Sequence, residues 1–209
     1  MKARKILAMV AALALTAALA IGGTLAYLST KTETVTNTFT VGEVGALSLT
    51  ETTGTKLESG KRQHQIIPGV PTDKNPKVAY DADATDEAVY VFVKIDATGW
   101  SYDANSKTYT LLQGGKEALS WTVDSAWAAV DGNTGVFYKE LAQGTDLPAT
   151  SVISGDKIAV NGANVTESNI NAVATAAGEL NFTAYAIQQA GFDGNVASAW
   201  TALNAQLAA

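Results

Sequence analysis

Cysteine is absent from the 209 residues, so no disulfide framework and no thiolate-bound zinc can form. The fold therefore stands on packing and hydrogen bonds alone. Histidine occurs once, at His64 in the polar run "KRQHQ", and is read as a solvated loop residue. Neither an HExxH pair nor a GxSxG nucleophile elbow is present, which removes the common zinc-protease and serine-hydrolase signatures. Basic charge is also scarce. Lys2, Arg4 and Lys5 lie at the extreme N-terminus, and with them set aside the chain carries 11 basic against 20 acidic side chains. Such an acidic body is a poor partner for nucleic acid. No repeat of 20 to 50 residues marks a solenoid or propeller.

Only one long apolar run exists. It is "ILAMVAALALTAALAI", from Ile6 to Ile21, behind the positive Lys2, Arg4 and Lys5 and before the small residues of "GGTLA". This is the layout of an export signal, with Thr24 and Ala26 at the −3 and −1 positions of a cut between Ala26 and Tyr27. The run falls slightly short of the roughly 18 residues that a membrane span needs. The expected organisation is a signal peptide over residues 1–26 and one folded domain over residues 27–209.

Behind the leader the chain alternates. In "TVTNTFTV", Val35, Phe39 and Val41 share a face with Asn37, and four threonines fill the other, the period-two pattern of a strand with one buried face. Leu47 and Leu49 resume the alternation, and Pro68-Gly69 suits the centre of a turn. "KVAYDADATDEAVYVFVKID" reads as a hairpin whose second arm, "VYVFVKI", is apolar on nearly both faces and so central. Further hairpins are expected around Asp103–Lys107 and around Asp131–Gly135, and a helical turn before "LNFTAYAI". Near the end the period changes. Val196, Trp200, Leu203 and Leu207 are spaced for one helical face, with Asn195 as a capping residue. The fold class expected is all-β, an antiparallel, jelly-roll-like β-sandwich with a short C-terminal helix, after an N-terminal signal helix.

Sites for chemistry are few. Asp81, Asp83, Asp86 and Glu87 could gather calcium, but the spacing lacks the glycine and glutamate of an EF-hand loop, so a solvated turn is expected. "LPATS" at Leu147–Ser151 resembles a sortase signal but is internal and ends in serine. Trp100, Trp121, Trp127 and Trp200 fall in strand or helix patterns and are assigned to packing rather than to a sugar-binding face. No catalytic, metal or cofactor site is assigned, and the chain is not read as an enzyme.

The leader together with "GGTLAYLS", "NTFTVGEV", "IIPG" at Ile66–Gly69, "AVYVFVKI" at Ala88–Ile95 and "AYAIQQAGFDGNVASAWTAL" resembles the TasA and camelysin family of secreted Gram-positive proteins. The N-terminus is similar to signal peptides that depend on a SipW-type signal peptidase. The resemblance implies that peptidase as a partner, release to the cell surface or biofilm matrix, and a head-to-tail homopolymer, with other matrix proteins as further partners. In such a fibre the N-terminal strand, here residues 34–41, completes the sheet of the next subunit, with Val35, Phe39 and Val41 docking in an apolar groove. Rival expectations are a monomeric surface-binding module or adhesin, and a camelysin-like metallopeptidase, for which no metal constellation is recognisable.

Overall fold

The computed structural model describes residues 29–31, 44–84 and 86–207. The expected leader, the cut between Ala26 and Tyr27, and the expected strand carrying Val35, Phe39 and Val41 lie outside them. Among the described residues, strand dominates and every ladder is antiparallel. The first layer has the order β1 (Ser29–Lys31), β15 (Leu180–Gln188), β7 (Val89–Ala97), β12 (Val136–Leu141), β11 (Ala128–Ala129). The opposing layer is made of two sheets. One runs β5 (Thr72–Asp73), β14 (Lys157–Val160), β10 (Lys116–Thr122), β9 (Thr108–Gln113), β8 (Ser101–Asp103), and the other β13 (Leu147–Ser151), β6 (Lys77–Asp81), β2 (Ala46–Thr50). A small ribbon, β3 (Thr55–Lys56) with β4 (Arg62–Gln63), stands apart.

β7 organises the core because it is apolar on both faces. Val89, Val91, Val93 and Ile95 point between the layers, where they meet Leu47, Val78, Leu111, Trp121, Phe137 and Phe182. Its other face, Tyr90 and Phe92, joins Val136, Tyr185 and Ile187 beneath helix α2 (Val196–Leu207), which lays down Ala199, Trp200 and Leu203. The result is a sandwich with a helix on its outer side, in which α2 covers Tyr90 and Phe92 so that residues 89–93 of β7 are buried on both faces. Asn195 caps α2 as its residue type demands, its Oδ1 accepting from the Ser198 N–H at 3.0 Å. Helix α1 (Ile170–Ala177) is the helical turn expected before "LNFTAYAI" and buries Val173.

Local turns form where the residue types ask for them. β8 and β9 pair around Asp103–Lys107, β11 and β12 pair around Asp131–Gly135, and the Val70 N–H closes the Pro68-Gly69 turn on the Ile67 carbonyl. One expected hairpin does not form. β6 and β7 never pair: β6 sits between β2 and β13 in one layer, while β7 sits between β15 and β12 in the other. The acidic stretch from Asp81 to Glu87 is a crossing between layers, because the apolar face of each strand finds better cover in a different sheet. A further hairpin, not among those expected, joins β9 to β10 through Gly114 and Gly115, whose φ values of +60° and +77° are those of a primed two-residue turn.

Candidate assembly edge

Among the described residues, no three histidine, cysteine, aspartate or glutamate side chains come together as a metal ion requires. Asp83 and Asp86 instead bond one another, the Asp83 N–H donating to Asp86 Oδ2 at 2.7 Å, and Asp86 is buried within its loop. Two open depressions flank Tyr138, one of about 320 Å³ beside Lys107 and Glu140, the other of about 490 Å³ beside Asp131 and Asp193. Trp121, Trp127 and Trp200 are buried and Trp100 is half-buried, its indole N–H donating to the Ala177 carbonyl at 3.1 Å. No helix among the described residues is long and apolar enough to cross a membrane.

The sheet edges are more informative, because an edge strand offers unpaired backbone groups to a second chain. β13 is defended: it carries Pro148, and its register with β6 slips between Leu147 and Thr150. The sortase-like "LPATS" is thus a bulged edge strand. β2 is not defended. It pairs with β6 in five consecutive positions without a bulge, contains neither proline nor charge, and no strand among the described residues pairs with its outer edge. β2 runs close to β15 and to β1. β1 in turn covers only Tyr185–Ile187 of the nine-residue β15, with Ser29 opposite Ile187, Thr30 opposite Ala186 and Lys31 opposite Tyr185.

A polar lobe, residues 51–75, closes one end of this region. Arg62 Nη1 donates to the carbonyls of Thr52, Thr53 and Gly54 at 3.0 to 3.2 Å, and Asn75 Oδ1 accepts from the N–H groups of Thr52 and Thr53. Lys74, only 6% exposed, bonds both oxygens of Glu51 and stands 5.4 Å from the centre of the Phe182 ring on β15. Lys61 pairs with Glu179 at the surface beside it.

His64 departs from its expected place in solvent. Its Nδ1 lies 2.9 Å from the Asp73 carbonyl and therefore carries a proton, and its Nε2 lies 3.1 Å from Glu51 Oε1. The ring is held against Gly54, where a built Cβ would come within 2.8 Å of it. Burial alone pushes the Glu51 carboxyl up, but His64 and Lys74 outweigh it and hold the group below its ordinary range. A polar sequence context hid this, since nothing in "KRQHQ" tells which way the loop folds back. Neither a protein-family model nor a curated protein nor a solved structure matches this chain.

Proposed function

We propose that the protein is a structural component of a bacterial cell surface or biofilm matrix, exported by removal of its leader and polymerised head to tail by strand addition. The supporting observation is that an undefended edge, β2, lies near a first strand, β1, that occupies only three residues of β15. Between two such edges an extended segment finds main-chain partners, and alternate side chains find a buried face. The segment with that character is residues 34–41 of a second copy, where Val35, Phe39 and Val41 repeat at period two. A contact of this kind joins two different surfaces, so it does not close on itself and gives filaments.

The test is electron microscopy of the chain starting at Tyr27, beside the same chain with an uncleavable N-terminal extension. Filaments from the first alone support the reading. Monodisperse particles from both refute polymerisation and favour a monomeric surface-binding module.

A further inference from the structure

The turn that follows β14 carries the chain's one Asn-Gly pair, Asn161-Gly162. We infer that this pair is a self-modifying site, where Asn161 converts without an enzyme into aspartate and isoaspartate, and isoaspartate frees the turn from the Pro68-Gly69 turn beside it. The reaction is a ring closure. Hydroxide takes the Gly162 amide proton and the nitrogen attacks Asn161 Cγ. The Cγ–Nδ2 bond then breaks, and Nδ2 leaves as ammonia with a proton from water. Water opens the resulting cyclic imide either at Cγ, giving aspartate, or at the main-chain carbonyl carbon, giving isoaspartate.

The local geometry suits each step. Asn161 Oδ1 accepts from the Ala163 N–H at 3.1 Å, which folds the carboxamide over the Gly162 amide between them. Among the described residues neither the Gly162 N–H nor Asn161 Nδ2 is engaged in a hydrogen bond, so the attacking and leaving nitrogens are both free. Gly162 is exposed to water and has no Cβ to obstruct the ring. The other described asparagines either commit Nδ2 to a hydrogen bond, as Asn133 and Asn164 do, or precede a residue with a side chain.

The product cannot keep the contacts of the parent. The Asn161 carbonyl accepts from the N–H groups of Asn164 and Val165 at 3.0 and 2.8 Å, and Gly162 lies so close to Gly69 that a built Cβ would come within 2.8 Å of the Gly69 Cα. In isoaspartate that carbonyl carbon becomes a side carboxylate, and the main chain passes instead through Cβ and Cγ, longer by one bond of about 1.5 Å. Gly162 then loses its seat against Gly69. The contact between the two turns thus has a lifetime set by hydroxide.

The test is to age the full chain in mildly alkaline buffer beside Asn161→Gln and Asn161→Asp, following conversion by peptide mass spectrometry, with enzymatic methylation of isoaspartate marking the lengthened product. Asn161 should convert before any other asparagine, about tenfold faster for each added pH unit, which is one decade of hydroxide. Asn161→Gln, which would have to close a larger ring, should survive the same period. In the aged wild type the Val70 amide, which donates to the Ile67 carbonyl at 3.0 Å, should exchange with deuterium at least about tenfold faster than in fresh protein. Freshly purified Asn161→Asp adds the charge without lengthening the chain and should leave that amide as protected as in fresh wild type. Survival of Asn161, or earlier conversion of another asparagine, overturns the site. Unchanged exchange at Val70 in the aged protein, or equal acceleration in Asn161→Asp, overturns the release of the turn.

Discussion

Lys74 and Phe182 are joined across the sandwich, the ammonium lying 5.4 Å from the ring centre while it also bonds both carboxylate oxygens of Glu51. One side chain therefore ties the 51–75 lobe to β15. Lys74→Met keeps the apolar stem but leaves the largely buried Glu51 carboxylate with His64 as its remaining charged partner, and is expected to cost about 3 kcal/mol. Adding Glu51→Leu should recover most of the loss. Urea unfolding of the two single variants and the double variant measures the coupling, and a simply additive double variant would contradict it.

Acid should loosen the same contact. The Glu51 carboxyl sits below its usual value of 4.5 despite burial, so its pairing adds stability above that value and loses it as pH falls through the lowered one. Thermal midpoints of wild type and Glu51→Gln, followed from about pH 6 to pH 3, should converge toward the acid end. Parallel curves would show that Glu51 does not carry the effect.

Two glycines of one turn should respond differently to alanine. Gly132 and Gly135 both have positive φ, but a Cβ at Gly132 meets open space, whereas at Gly135 it comes within 2.8 Å of the Ile95 carbonyl. Gly132→Ala is expected to cost about 1 kcal/mol, from left-handed strain alone. Gly135→Ala should cost about 3 kcal/mol, since it also presses on the β7–β12 ladder. Equal losses in chemical denaturation would refute the crowding.

Removing Trp200 should free the outer helix. The indole packs 5.3 Å from Phe92 and 5.7 Å from Tyr185 between ring centres, and Trp200→Ala is expected to cost about 4 kcal/mol. Hydrogen exchange should then show the amides of α2 opening well before those of β7. Loss of protection in both together would make helix and sheet one cooperative unit.

Local patterns were legible and partner choice was not. "VYVFVKI" announced a central strand because both of its faces are apolar, and Asp131–Gly135 announced a tight turn because its residue types set the backbone. The expected β6–β7 hairpin failed because an acidic stretch that turns and one that crosses between layers look alike in sequence. Gly114-Gly115 is by contrast a plain local hairpin signal, since glycine accepts the positive φ of both turn positions. Of the candidate site, Val35, Phe39 and Val41 lie outside the described residues, while the undefended edge of β2 depends on what fails to pair with it, which no local stretch encodes.

The ladder between β1 and β15 joins the first described strand to the last. In a chain that emerges N-terminus first, Ser29–Lys31 appears long before residues 185–187 and must wait for them before it can close a bond within its own sheet. Such long-range closure is slow by nature. Order of emergence alone thus gives the N-terminal strand an interval in which any neighbouring chain that has already finished folding can reach it first.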